Sequence, residues 1–284
     1  GGFTWDMNAN ISSVANKIIS LPYNGVDKNR VGGYEVAAGK VGADGKFPTK
    51  WIAGRQEGGK LGELVAYKQQ HIFKDWDDVK QHANMRIDEV ANLYGPGLAD
   101  QINPLTNKPY KESTGWQPIE PGDVCWEDMN GDDVINGYDR YVVGNIFPNI
   151  TGGFSTTFGY KGISLYARFD YALGHTLYND LAARSLGQYQ GSFNVIDKVK
   201  DTWSEANPNS DLPKFYYADQ LSKKNITRSN DSNTAADSNS SRFYEKGDYL
   251  ALREITLSYQ LPKSLISKVH MTDASVYVTG QNLF

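Results

Sequence analysis

The chain has 284 residues, a net charge of −4 and a pI of about 5.6. This mildly acidic balance, without a cluster of Lys and Arg, argues against nucleic-acid binding. The single cysteine, Cys125, excludes an internal disulfide, and the sequence contains no apolar run long enough for a transmembrane helix. Transmembrane β-strands stay compatible with the low mean hydropathy of −0.54, because they alternate apolar with polar residues.

The first predicted strand runs from Phe3 to Ser12 and alternates strictly with a period of two. One face is apolar and the other polar, with Phe3, Trp5, Met7, Ala9 and Ile11 opposing Thr4, Asp6, Asn8, Asn10 and Ser12. The outer strand of a soluble sandwich could show the same pattern, so this segment alone does not decide the fold.

A second region, 154–172, predicts a hairpin of two long alternating strands around the tight turn Lys161-Gly162. Two further alternating strands are predicted at about 249–261 and from Ala274 onward. Because lipid does not tolerate an open sheet edge, we expect more strands in the full protein. Aromatic residues at 12% and 28 glycines are typical of barrels, which need interfacial aromatics and tight turns.

Long polar stretches separate these strands, at roughly 13–60, 74–150 and 173–248. Their length favours the extracellular loops of an outer-membrane barrel over a compact soluble domain. Within them we predict a weak helix over 75–94, a mobile segment over 229–241, and either a hidden strand near Trp51 or an unusual loop in 13–60.

Five stretches of the sequence resemble the SusC/RagA-type TonB-dependent transporters of Gram-negative bacteria. They are Pro121-Gly122-Asp123 with Asp128 to Asn136, Asp139-Arg140, Gly144 and Pro148; Gly153-Phe154 through Gly162; Trp203 with Asn207-Pro208-Asn209 and Pro213; Asp248 to Arg253 with Tyr259, Leu261-Pro262 and Gly280 to Phe284; and, more weakly, Leu61-Gly62 with Tyr67 and Ile72-Phe73.

The resemblance implies that residues 1–284 are the C-terminal part of an all-β, antiparallel transmembrane barrel of 22 strands, with long extracellular loops. The N-terminal plug and the last strands would lie outside this chain. The resemblance further implies a non-enzymatic importer in the outer membrane, with a SusD-like surface lipoprotein as its lid and with TonB contacted by the missing N-terminal part. Its cargo would be an oligosaccharide or a peptide.

Residues 128–139 have the spacing of a calcium-binding loop. Oxygen donors fall at loop positions 1, 3, 5, 7, 9 and 12, and the candidate ligands are Asp128, Asn130, Asp132, the Val134 carbonyl, Asn136 and Asp139. Two departures are Asp133, where a glycine is usual, and Asp139, where a Glu is usual. The alternative is a loop of Asx turns that satisfies its own backbone without an ion. A bound calcium would be structural.

Four residues are candidate cargo contacts: Tyr166, Arg168 and Asp170, which alternate onto the lumen face, and Trp203 in a long loop. The first three could instead pair with neighbouring strands, and Trp203, like the nearby cluster 215–217, could serve packing. Cys125 has no His near it in the sequence, so a catalytic thiol is not expected. The four His residues are scattered, and the sequon at 225–227 is interpreted as coincidence.

Two other functions stay open from the sequence alone. One is a soluble β-sandwich with a calcium loop, acting as a surface glycan-binding module. The other is a passive porin-like channel. A sandwich buries the apolar strand faces against a second sheet, whereas a barrel exposes them to lipid.

Overall fold

The computed structural model describes residues 2–87, 93–113, 116–186, 196–215 and 240–283, and these divide into two compact units. Unit 1 comprises residues 1–16, 146–176 and 246–284, and unit 2 comprises 17–145 and 177–245. The sequon, Val90, Tyr216, Tyr217 and most of 229–241 lie outside the described residues. No helix in the described part is both long and apolar enough to span a membrane.

The described residues are mostly β-structure with three short α-helices. In chain order the elements are β1 (Thr4–Ser13), β2 (Tyr34–Ala37), β3 (Thr49–Ile52), β4 (Glu63–Tyr67), β5 (Gln69–Ile72), α1 (Trp76–Gln81), β6 (Arg86–Ile87), β7 (Leu93–Tyr94), β8 (Ile102–Asn103), β9 (Lys108–Pro109), β10 (Gln117–Pro118), β11 (Val124–Trp126), β12 (Val134–Ile135), β13 (Arg140–Asn145), β14 (Ile150–Tyr160), β15 (Ile163–Leu173), β16 (Thr176–Tyr178), α2 (Asp180–Leu186), β17 (Tyr244–Lys246), β18 (Tyr249–Gln260), α3 (Lys263–Ile266) and β19 (Ser275–Gln281).

Unit 1 is built on one antiparallel sheet with the strand order β1-β14-β15-β18-β19. All four predicted strand regions are confirmed as members of this sheet. Strands β1, β14, β15 and β18 are 10 to 12 residues long. That length suffices to cross a bilayer when the strands are tilted.

The ends of the sheet differ in how its strands are connected. Lys161 and Gly162 join β14 to β15 with φ values of 48° and 85°, the two positive angles that a type I′ hairpin turn requires. A short segment with α3 joins β18 to β19 at the same end. At the opposite end, the chain leaves for residues 17–145 and again for 177–245. Short connections therefore occupy one end of the sheet and long insertions the other.

The strand register places the apolar side chains of all five strands on one face, called here the apolar face. Trp5 lies opposite Phe158, which lies opposite Leu165, then Leu257, then Val278. The same face also holds Thr156 and the remaining side chains Met7, Ala9, Ile11, Phe154, Tyr160, Ile163, Ala167, Phe169, Tyr171, Leu250, Leu252, Ile255, Tyr259 and Val276.

Much of the apolar face is open to its surroundings: Trp5 is 60% and Val278 71% exposed. Every cluster of buried apolar side chains found among the described residues lies in unit 2. In the described part of unit 1, no second sheet covers the apolar face. The sandwich alternative requires such a layer, so the architecture of unit 1 differs from it.

Unit 2 has its own hydrophobic core. The paired strands β5 and β11 contribute Ile72 and Trp126 to it. Trp126 packs edge-on against Tyr67, with 6.3 Å between the ring centroids. The remaining members are Phe73, Val79, Met85, Ile87, Leu93, Ile119, Val124, Cys125 and Ile135. Two smaller clusters surround the β2–β3 hairpin and helix α2.

The core of unit 2 corrects the prediction that 13–60, 74–150 and 173–248 are loops. Their short strands bury apolar residues that are too widely spaced in the sequence to show a period. The strand near Trp51 exists as β3, but it pairs with β2 inside unit 2. The predicted helix over 75–94 is confirmed only for α1, since Ile87 and Leu93 belong to strands.

Candidate functional site

The polar face of the unit 1 sheet lies opposite the apolar face and holds three of the predicted cargo contacts. Tyr166, Arg168 and Asp170 share it with the amides of Asn8 and Asn10 and with the hydroxyls of Ser155 and Thr256. The structure thus confirms that the three candidates lie on one face, while their contact with cargo stays a prediction.

Asp170 is held by Arg253, which was not among the candidate cargo contacts. Nε and Nη2 of Arg253 both donate to the Asp170 carboxylate, Nε to Oδ1 and Nη2 to Oδ2 at 3.0 Å. The Tyr249 hydroxyl also donates to Oδ2 at 3.4 Å, and Arg253 Nη1 donates to the Asn282 side chain at 3.4 Å. Such a two-pronged pair fixes both partners in orientation as well as distance.

A β-bulge places Arg253 on the polar face. Arg168 lies opposite Glu254 and Phe169 opposite Leu252, so Arg253 is an extra residue in β18. Bulges redirect a side chain without ending the sheet. The sequence carried a signal for this: apolar residues fall on even numbers at 250 and 252 and on odd numbers from 255 onward.

The acidic loop 128–139 lies in unit 2 and bonds its own backbone. Asp128 accepts from the amides of Gly131 at 2.5 Å and Asp133 at 2.8 Å, and Asp132 accepts from Val134 at 2.9 Å. Asn130 and Asn136 accept from the amide two residues on. These bonds are the ones that the Asx-turn alternative requires.

The Asp139 side chain lies under the acidic loop and joins its two ends. It is fully buried and accepts from the amides of Met129 and Asn136, each at 2.8 Å. Burial raises the pKa of its carboxyl to about 7, and the neighbouring carboxylates Asp128 and Asp132 add to the rise. A cation at the loop would oppose this rise, because it favours the charged carboxylate.

Among the described residues, no group of three or more His, Cys, Asp or Glu side chains is arranged to hold a metal ion. Each carboxylate oxygen that accepts one amide keeps a second lone pair, so the loop's hydrogen bonds leave room for a cation. Calcium binding by Asp128, Asn130, Asp132, Val134, Asn136 and Asp139 therefore stays a prediction.

We expect unit 2 to melt at a lower temperature at pH 8 than at pH 5 in the presence of a chelator. The pKa of Asp139 is higher in the folded protein than in the unfolded chain, where it is near 4, so protonation of Asp139 favours the folded state. This contribution to the free energy of unfolding is full below about pH 4 and is lost as the pH rises through about 7. For a unit of this size, each 1 kcal/mol lost lowers Tm by roughly 2–4 °C. Scanning calorimetry of the full protein in detergent measures it.

The matched control for this pH effect is Asp139→Asn, which should remove the dependence. If the loop binds calcium, millimolar calcium at pH 8 should restore the melting temperature in the native protein. Equal pH dependence in native protein and variant would show that Asp139 is not the group responsible.

Trp203 packs against the unit 2 core. Its ring lies on Gly122, where an added Cβ would come within 2.6 Å of the indole, and its Nε1 donates to the Lys74 carbonyl at 3.1 Å. Lys214 N donates to the Gly122 carbonyl at 2.8 Å. Two of the stretches that carried the family resemblance therefore meet here. Packing accounts for Trp203, and its contact with cargo stays a prediction.

The structure corrects the expectation that Cys125 has no nearby His. Its Sγ lies 3.7 Å from His82 Nε2, and His71 bonds the Asp78 carboxylate at 3.1 Å. The sequence hid this arrangement because 43 residues separate Cys125 from His82. The thiol is fully buried, and this burial raises its pKa to about 12, so it is not a thiolate nucleophile at neutral pH.

Comparison with known proteins gave relatives of one kind. TonB-dependent receptor P26 of Formosa agariphila is 30% identical over 166 residues, which are 58% of this chain and 15% of that protein. TonB-dependent receptor P3 of the same organism is 24% identical over 281 residues, 99% of this chain and 22% of that protein. The chain is homologous to TonB-dependent receptors. No family model matches it.

Solved structures agree on the fold of this receptor homologue. The RagAB peptide transporter matches 99% of the chain with a TM-score of 0.56 at 18% identity, and the chain covers 23% of that neighbour. The RagAB peptide importer in its open-open state matches equally widely, with a TM-score of 0.51. The predicted resemblance is thereby confirmed. The homologue spans about a fifth of the length of these proteins.

Proposed function

We propose that this chain is part of an outer-membrane importer, in which the five-stranded sheet forms a section of a closed transmembrane β-barrel. The apolar face carries the proposal. It extends unbroken across five strands, is largely exposed, and has no covering layer in the described part of unit 1. A soluble protein rarely exposes a contiguous apolar surface of this kind, whereas lipid covers it without cost.

The connections of the sheet support an orientation. Outer-membrane barrels have short periplasmic turns and long extracellular loops. The end with the Lys161-Gly162 turn is then periplasmic, and both insertions that build unit 2 are extracellular. The polar face lines the lumen, with Tyr166, Arg168 and the Asp170–Arg253 pair along the transport path.

The partners that we propose rest on the resemblance to SusC/RagA-type transporters. The chain works with a SusD-like surface lipoprotein as its lid, and TonB supplies energy through a part of the protein outside this chain. The cargo is an oligosaccharide or a peptide, and the protein does no chemistry on it. Calcium in the 128–139 loop would hold extracellular structure in place.

Cell fractionation and uptake test the proposed function together. In the native bacterium, the protein should be found in the outer membrane, and deleting its gene should abolish uptake of one labelled oligosaccharide or peptide pool. Disrupting TonB should abolish the same uptake. Recovery of the intact protein in the aqueous fraction, or uptake that is indifferent to TonB, would contradict the proposal.

A further inference from the structure

Unit 2 contains a trough in which Trp203 is the only one of the four candidate cargo contacts to take part. One part, with a volume of about 630 Å³, runs between β5, α1 and the loop 208–211. A second part, of about 640 Å³, shares Lys74, Asp75, Pro208 and Asn209 with the first. The two parts therefore border the same four residues, and an extended oligomer lying across them would contact both.

The wall formed by 208–211 is held rigidly in place. Trp203 N donates to the Leu212 carbonyl at 2.9 Å, and Asn207 Nδ2 donates to the Asp201 carbonyl at 3.1 Å. Leu212 N donates to Ser210 Oγ at 3.0 Å. Because the Trp203 side chain is anchored on Gly122 and the Lys74 carbonyl, the loop is fixed to the core of unit 2 as well.

Trp76 lines the second part of the trough and is only half covered. It is 50% exposed, and it makes no ring contact or hydrogen bond that the structure describes. Asp75 fixes its position by capping α1 through the amides of Asp77 and Asp78, at 3.0 and 2.9 Å. A half-exposed indole beside a polar groove offers a flat apolar surface and an N–H donor.

Some polar side chains of the trough are already hydrogen-bonded within the protein, and others are not. Asp75 is used as the helix cap, and Asp78 accepts from His71 and from the Lys74 amide at 3.0 Å. Gln81, Asn209 and Asp211 make no hydrogen bond or ion pair that the structure describes, and all three line the trough. These planar amide and carboxylate groups are free to bond a ligand.

We propose that this trough binds a neutral oligosaccharide. The C–H faces of a sugar ring suit the exposed Trp76 indole, and the adjacent hydroxyls of a sugar suit two-pronged bonds from Gln81, Asn209 and Asp211. Only Ile72 and Pro208 among the thirteen residues lining the first part are apolar, so this part offers little to the apolar side chains of a peptide. The apolar lining of the second part consists of the rings of Trp76 and Trp203 and of two prolines, Pro121 and Pro208. The inference rests on the proposed function, whose cargo class it names.

Calorimetric titration of the purified full protein in detergent tests the trough. The probes are maltohexaose, laminarihexaose, cellohexaose and mannohexaose, with a mixed hexapeptide pool as the competing class. At least one hexasaccharide should bind, and Trp76→Ala should weaken it about tenfold or more, equivalent to about 1.4 kcal/mol. Trp76→Phe, which keeps an aromatic face, should weaken binding less.

Leu105→Ala is the matched control, because Leu105 is a 93% exposed apolar residue of unit 2 outside the trough. It should leave binding unchanged. The inference is overturned if no hexasaccharide binds, if Trp76→Ala binds as tightly as the native protein, or if only the peptide pool binds. The binding measurement does not depend on transport. If the protein binds an oligosaccharide but is absent from the outer membrane, the proposed function is contradicted while the trough inference stands.

Discussion

Arginine in place of Ala167 is expected to destabilise the membrane-inserted protein by about 2–4 kcal/mol. Ala167 lies near the middle of β15 on the apolar face, between Thr156 and Ile255 on the neighbouring strands. If lipid covers this face, the guanidinium must enter hydrocarbon far from either interface. Urea unfolding in lipid bilayers, followed by tryptophan fluorescence, measures the loss.

The control for Ala167→Arg is Thr157→Arg. Thr157 lies on β14 directly after Thr156, the partner of Ala167, and its side chain is therefore on the opposite face of the sheet. Thr157 lies between Asp6 and Tyr166, so an arginine there would point into the proposed lumen beside a carboxylate. We expect its effect to be within about 0.5 kcal/mol, as for most surface substitutions. Equal loss in the two variants would show that the faces do not differ in environment.

Removing the Trp126 side chain should cost unit 2 about 3–5 kcal/mol, the largest effect that we expect from any single truncation. Trp126 is 1% exposed and is the largest fully buried side chain among the described residues. Its loss leaves a cavity next to Tyr67 that the paired strands β5 and β11 cannot close. Calorimetry of the native and Trp126→Ala proteins in detergent gives the change.

Trp76→Ala makes the same deletion at a half-exposed position and serves as the control for Trp126→Ala. Its effect on stability should stay below about 1 kcal/mol, because little packing is lost at the surface. Should both variants lose the same stability, unit 2 would not owe its fold to the core around Trp126.

The long strands could be predicted because their alternation is local. Phe154 to Tyr160 and Ile163 to Tyr171 repeat with a period of two, and the Lys161-Gly162 turn between them fixes the register of the pair. The shared polar face of Tyr166, Arg168 and Asp170 followed from the same period. Strand length and turn chemistry therefore sufficed for unit 1.

Unit 2 could not be predicted in this way, because its strands of two to six residues are too short to show a clear period. Its core forms between distant residues: Tyr67 and Trp126 meet although 59 positions separate them in the sequence. The same holds for Cys125 beside His82 and for Trp203 on Gly122. The trough around Trp76 depends on these long-range contacts, so no local pattern in the sequence predicts it.

Nitroxide labels placed one at a time along β15 test the lipid-facing sheet most directly. The full protein would be reconstituted in bilayers, and collisions of each label with lipid-soluble oxygen and with a water-soluble nickel complex would be compared. Labels at Leu165, Ala167 and Phe169 should favour oxygen, and labels at Ser164, Tyr166 and Arg168 should favour nickel. Labels that are shielded from both reagents at Leu165, Ala167 and Phe169 would reveal a protein layer over the apolar face and contradict the account.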